Sequence, residues 1–268
     1  MVRIILSAGV YFIYIAVVVL AGILIYLLGK LLYIIDRDEP EVYDAILNAE
    51  ELERHALEIA RKHAVGKSSR MYYSLETRMN KNFRFITSVY KDLNEYSNVR
   101  SSVTPAAEWL LDNFYIVEEQ VKEIRQNLSR KYYSQLPKLK SGALKGYPRV
   151  YAIALELVSH TDGRFDDKQL VGFVTAYQTQ SLLSSGELWT IPMMVRMALI
   201  EHIRHVCENI ASSQQQWHKA EKLAEQLLSY KDRKPEELLG IAKESMKHLE
   251  TINPSYGEHL LNRLKKHP

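Results

Sequence analysis

The chain has 268 residues, 47% of them hydrophobic, and a formal charge of +3; this is enough for a packed core and excludes a disordered chain, while the charge is too small to argue for nucleic acid as a partner. Its single cysteine, Cys207, excludes a disulfide framework and a structural zinc knuckle. Eleven glycines and eight prolines are few, which favours long helices, arranged as one membrane segment and one or two soluble lobes at roughly 100–200 residues per domain.

From Ile4 to Leu28 no residue is charged, and the apolar run resumes after Lys30 as far as Ile35. About 20 such residues cross the hydrocarbon core as a helix. A signal peptide has a shorter apolar region, roughly 7–15 residues, and a small-residue cleavage site. No A-x-A site follows here, and Gly22 and Gly29 sit inside the run. The expectation is an uncleaved transmembrane helix over residues 1–35, with Lys30 snorkelling to the interface. Arg3 stands on one side of it, against Lys30, Arg37 and Arg54 on the other. The positive-inside bias therefore places the C-terminal part in the cytoplasm.

Residues 36–100 read as a helical hairpin or stalk. Pro40 suits a first helical turn, and apolar residues recur by threes and fours at Val42, Ala45, Ala49, Leu52, Ala56 and Ile59. After a turn at Gly66–Ser69, the residues Tyr72, Leu75, Met79, Phe83, Ile86, Tyr90 and Leu93 repeat the rhythm, as a returning antiparallel helix would. Asp36-Arg37-Asp38 has the D-x-D form of some glycosyltransferase metal sites. It lies at the lip of a membrane helix rather than at a strand end, so capping and interfacial roles account for it.

Residues 101–211 form a central helical lobe. Thr104-Pro105 is a helix start, a capping hydroxyl followed by a proline that fits the first turn. The helix carries Leu110, Phe114, Val117, Val121, Ile124 and Leu128 on one face. Between Tyr132 and Pro148 four Gly and Pro residues predict an ordered loop. There Lys131, Lys138, Lys140, Lys145 and Arg149 interleave with tyrosines; they read as loop lysines over a core, as lipid-headgroup contacts, or as a nucleic-acid or sugar-phosphate surface. Val150 to Val158 is apolar on all sides except at Glu156, with His160 one turn on. The two read as a buried polar pair, or as an acid/base couple with shifted pKa values. In the elbow that follows, Asp166 is a natural N-cap, Asp162 and Gly163 end the preceding helix, and Arg164 can bridge the carboxylates. Ser184 with Glu187 fits a capping box, Trp189 follows, and Pro192 predicts a fresh helix start at Thr190 or a kink. Glu201, His202, His205 and Cys207 are all metal-ligand types, but neither Glu-x-x-His nor H-E-x-x-H spacing is present, and no metal or cofactor is expected.

Residues 212–268 read as three amphipathic C-terminal helices, Lys219–Tyr230, Pro235–Leu249 and Pro254–Lys266. No Gly-rich phosphate loop, nucleophile elbow or internal repeat occurs in the sequence.

Four strings carry a resemblance: TPAAEWLLDNFYIVEEQVKEIRQNL (Thr104–Leu128), YYSQLPKL (Tyr132–Leu139), GYPRVYAIALELVSHTDGRFD (Gly146–Asp166) and GELWTIPMMVRMALIE (Gly186–Glu201). They resemble the N-terminal, non-catalytic region of cyclic β-1,2-glucan synthases. The chain departs from that pattern at Ser129, where proline is expected, at Gly163, where serine is expected, and at Ser181–Ser185. The resemblance implies an inner (cytoplasmic) membrane location, single-pass within this chain. It also implies partners in a UDP-glucose-dependent transferase core and its membrane helices, and a chain that stops before that core. No catalytic residue of the family falls on a position present here.

The expected architecture is thus all-α, a transmembrane helix followed by a multi-helix bundle. The expected function is that of a membrane-anchored, non-catalytic helical module that scaffolds or positions the transferase of a synthase-like protein. The alternative is a free-standing membrane-anchored adaptor for protein–protein interaction. A weaker possibility is a sugar-binding site drawn from Asp162, Arg164, Asp166, Glu187 and Trp189.

Overall fold

Eight helices and one two-stranded ribbon make up the residues described by the computed structural model, 45–66, 75–97, 104–229 and 254–265. In chain order they are α1 (Ala49–Lys62), β1 (Val65–Gly66), α2 (Leu75–Ser97), α3 (Pro105–Asn127), α4 (Arg130–Ser134), β2 (Lys138–Leu139), α5 (Arg149–His160), α6 (Asp167–Gln180), α7 (Ser185–Ser229) and α8 (Pro254–Lys265). Among the described residues no helix is long and apolar enough to cross a membrane. The span expected over residues 1–35 and the helix expected over Pro235–Leu249 lie outside the described residues.

The described chain is mostly helical, with a small exception to the all-α expectation. β1 and β2 pair antiparallel, Val65 opposite Leu139 and Gly66 opposite Lys138, and Lys140 N–H extends the ribbon by donating to Ala64 O at 2.8 Å. The ribbon gives partners to backbone groups of two loops that would otherwise be buried without them. Around it the Tyr132–Pro148 segment is held by its own bonds, Leu139 N–H to Tyr147 O at 3.0 Å and Arg149 N–H to Pro137 O at 3.0 Å.

α1 begins at Ala49, later than the seam starting at Val42 suggested, because Asn48 closes a capping box. Glu51 N–H donates to Asn48 Oδ1 (3.1 Å) and Asn48 N–H donates to Glu51 Oε2 (2.9 Å). The expected hairpin does not form. α1 buries Leu52, Ala56, Ile59 and Ala60 mainly against α6, whereas α2 packs on α7 and α3. The alanines explain the choice: a small-residue seam fits a close crossing, and α6 offers Gly172, where a Cβ would come within 2.9 Å of Glu53 Oε1. The larger Met79, Ile86 and Leu93 of α2 bury in the main core instead.

α3 starts where Thr104 accepts from Ala107 N–H at 3.3 Å, and its Phe114 stacks on Tyr90 of α2 with ring centroids 4.0 Å apart. α5 is the central strut: every side chain on it except Glu156 is buried, chiefly against α7. α6 opens on a second capping box, with Gln169 N–H donating to Asp166 Oδ1 (2.8 Å) and Asp166 N–H donating to Gln169 Oε1 (3.1 Å). Asp166→Ala removes that cap, for an expected loss of about 1 kcal/mol and a thermal midpoint lowered by about 2–4 °C in calorimetry.

α7 departs most from expectation. It is one continuous helix of 45 residues, with Pro192 inside it and no break before Lys219, and spans about 67 Å at 1.5 Å per residue. Proline removes one backbone donor, but Met194, Val195, Met197 and Ala198 just beyond it are all buried, and that burial outweighs the loss. The helix starts at Ser185, capped by Ser184, rather than at Thr190. Ile210 is the last buried residue of α7 in the main core, and Ala220 and Leu223 form a separate small cluster with Tyr256 of α8. Trp217 stacks on His259 beside it, centroids 5.2 Å apart.

Candidate functional site

The chemistry-bearing side chains gather at four places, all touching α5, α7 or both. At the start of α7, Glu187 is fully buried. Arg149 at the first turn of α5 grips its carboxylate with both arms, Nε to Oε1 at 2.6 Å and Nη2 to Oε2 at 2.9 Å. Ser184 N–H and Oγ–H both donate to Oε2 at 2.9 Å, completing the expected capping box. Arg149 also reaches Ser181 Oγ (2.8 Å) and Leu182 O (2.6 Å), so one guanidinium ties α5 to the whole α6–α7 connection. Burial opposes ionisation of Glu187, but the bonds from Arg149 and Ser184 outweigh it and hold the carboxyl below its ordinary range.

Little more than a third of the way along α7, Glu201 is held by α2 and α5 together. Arg78 donates through Nε at 2.7 Å and through Nη2, Tyr151 donates its hydroxyl, and Asn82 Nδ2 lies at 3.3 Å. Again burial is outweighed, here by Arg78 first, and the carboxyl stays below its ordinary range. Both buried glutamates are thus held on both oxygens by structural partners.

A cleft of about 460 Å³ opens where the α5–α6 turn meets α7, lined by Trp109, Leu110, Asp162, Arg164, His202 and Cys207 among others. Asp162 adopts φ +52° and Gly163 φ +69°. At Gly163 a side chain would be strained and its Cβ would sit 3.2 Å from His202 Cδ2, so the serine expected from the resemblance would fit poorly. Asp162 Oδ1 lies 3.4 Å from His202 Nε2. Among the described residues no ion pair joins Arg164 to Asp162, Asp166 or Asp167, so its expected bridging role is not seen. The binding candidates named from sequence therefore separate. Asp162 and Arg164 line this cleft, Asp166 caps α6, and Glu187 is buried. Trp189 is 84% exposed, about 200° around the helix from Glu187. Glu187 itself lies fifteen residues before His202, about 22 Å away along the helix axis.

The fourth place joins α1 to α5. His55 Nε2 is 2.8 Å from Glu156 Oε2, and His160 Nε2 is 3.6 Å from the same oxygen. The two imidazoles meet edge to face with centroids 4.4 Å apart. His160 Nδ1 contacts Ala45 O at 3.1 Å. Burial works against the Glu156 anion, yet the hydrogen bonds from His160 and His55 exceed it and bring the carboxyl down to about 2. Glu156 and His160 thus meet as a pair one turn apart, half-buried on the glutamate side, with His55 as a third member. Among the described residues these are the side chains whose donor atoms, all within 4.8 Å of one another, gather closely enough to share an ion.

No protein-family model matches the chain. Over 161 residues, 60% of its length, the chain is 35% identical to cyclic β-(1,2)-glucan synthase NdvB of Rhizobium meliloti (strain 1021). The chain is related to that synthase. It covers 6% of the synthase's length, so the relation is to one module of a far larger protein.

Within this synthase-related module the other ligand-type residues of α7 diverge. Glu201 faces Arg78, His202 faces Asp162, and His205 Nδ1 lies 3.4 Å from Glu208 Oε2. The thiol of Cys207 is pushed up to about 12 by burial, with the Glu208 charge adding to it, so it is neither thiolate nor nucleophile at neutral pH. Iodoacetamide at pH 8 should leave Cys207 unmodified in the folded protein and alkylate it in denaturant, as mass spectrometry will read. Sequence reasoning overlooked Arg149 as the partner of Glu187 and His55 as the partner of Glu156. The one local signal for His55 was a polar residue three positions beyond Leu52, at the edge of the α1 seam.

Proposed function

We propose that this chain is a non-catalytic helical module of a cyclic β-1,2-glucan synthase-like protein, held at the inner (cytoplasmic) membrane by a single N-terminal span. In this reading it positions a UDP-glucose-dependent transferase core and packs against that core and its membrane helices. The observation that carries it is the 35% identity over 161 residues to a synthase of which the chain covers only a small part. Two features of the fold support it. The buried carboxylates Glu187 and Glu201 are held on both oxygens by structural partners, as suits a scaffold. At the α6–α7 connection, Leu182 and Trp189 are more than four-fifths exposed, and Tyr132, whose hydroxyl donates to Gly186 O at 3.0 Å, stands beside them; together they offer apolar surface for a docked domain.

The test is co-purification of the full chain with the transferase portion of the synthase from membranes. The double variant Leu182→Asp, Trp189→Asp should lower the yield of complex without changing the circular dichroism of the module. Incorporation of glucose from UDP-glucose into glucan by the isolated chain would overturn the non-catalytic reading.

The cleft favours a second reading, in which the module also holds a stretch of glucan. Trp109, half-exposed at the cleft wall, provides an apolar ring face, and Asp162 and Arg164 provide hydrogen-bonding groups for hydroxyls. Titration with β-1,2-glucan oligomers should change tryptophan fluorescence in the parent and not in Trp109→Phe; a flat response in the parent removes this reading.

A further inference from the structure

The cluster between α1 and α5 brings two imidazoles and one carboxylate together, their ligand-type atoms all within 4.8 Å of one another. A backbone carbonyl only accepts, so the contact with Ala45 O makes His160 Nδ1 the donor. Nε2 of the same ring faces the Glu156 carboxylate at 3.6 Å, and His55 Nε2 lies 2.8 Å from the same oxygen.

We propose that His55, Glu156 and His160 form a site for one divalent transition-metal ion of the zinc class, which clamps α1 to α5. Two imidazole nitrogens and a carboxylate oxygen are a donor set that zinc takes, with a fourth position left for water. Zinc bonds of 2.0–2.2 Å in tetrahedral array put ligand atoms about 3.3 Å apart. The observed separations of 2.8 and 3.6 Å bracket that value, and the third pair lies within 4.8 Å, so small side-chain rotations complete the geometry. The Nδ1–H of His160 bonded to a main-chain carbonyl is the outer contact that orients a ligating histidine and turns its Nε2 toward Glu156. The side chains of His55 and Glu156 are 22% and 19% exposed, which gives an ion a way in. The location also has a mechanical use. α1 packs mainly on α6 and only slightly on α5, so an ion here strengthens a joint that side-chain packing leaves weak.

The experiment uses the full chain, tag-free and in detergent, stripped with EDTA and titrated with Co²⁺ as a visible probe. Uptake of one equivalent with the intense absorption of a low-coordinate cobalt site, its displacement by Zn²⁺, and a raised thermal midpoint are the expected results. H55N, E156Q and H160N should each weaken uptake by more than about ten-fold. His205→Ala, on the far stretch of α7, should bind as the parent does. Absence of saturable uptake overturns the proposal. Uptake that H55N leaves unchanged also overturns it, because H55N alters a rim residue whose folding circular dichroism can check even if E156Q does not fold.

Discussion

Arg149→Ala should lower the free energy of unfolding by about 3–5 kcal/mol, read from urea denaturation at pH 7. The guanidinium is the main counter-charge of a carboxylate with no solvent exposure, and it also satisfies Ser181 Oγ and Leu182 O. Without it Glu187 keeps only the donors of Ser184, and the buried group must either stay charged and unpaired or take up a proton. The loss should therefore be largest at neutral pH and shrink as acid neutralises Glu187, a pH dependence that simple loss of packing would not produce. Arg149→Lys should recover only part of the loss, because one ammonium cannot repeat the parallel pair to both oxygens while reaching Ser181. Arg149→Met with Glu187→Leu should cost less than Arg149→Ala, since no lone buried charge remains.

Glu201→Ala is expected to cost a similar 3–5 kcal/mol, because it leaves the buried Arg78 guanidinium without its carboxylate and Tyr151 without an acceptor. Glu201 and Glu187 also shape the response to acid. Both carboxyls lie below their ordinary range in the folded chain, so the unfolded chain takes up protons first. Their contribution is complete above the unfolded glutamate value of roughly 4.3 and is lost as pH falls from there through the folded values. His63 and His202 act earlier. Burial lowers both against the pull of Glu156 and Asp162 respectively, so stability begins to decline as pH drops below roughly 6.5. Urea midpoints between pH 8 and 3 should fall in two stages, and Glu201→Gln should flatten the lower one while leaving the upper one in place. A single-stage curve would show that these groups do not govern acid unfolding.

What could be read from the sequence were interactions three or four residues apart. Thr104, Asp166 and the Ser184–Glu187 box cap the helices expected of them, because a cap depends only on its own turn. The burial of α5 followed from an apolar run too uniform for a surface helix. Partners far apart in the chain were not legible: His55 and Glu156 are 101 positions apart and Arg78 and Glu201 123, and nothing local marks either. The hairpin expectation failed for a related reason. Two matching rhythms say that two faces are buried, but not that they are buried against each other, and α1 met Gly172 of α6 instead. In α7, Pro192 and the expected boundary between residue 211 and a new helix at Lys219 gave way to tertiary burial on one side and to α8 on the other.

The continuity of α7 has a mechanical consequence. Up to Trp217 the helix still lies beside Leu93 and Ala107; beyond that, about 18 Å of it continues as a stiff arm bearing α8 through a cluster distinct from the main core. A tilt of 5° where the arm emerges displaces its tip by about 1.6 Å over that length, with no intervening hinge among the described residues to absorb it. The arm therefore converts small adjustments among α2, α5 and α7 into displacements at α8 large enough to seat or unseat a neighbouring side chain.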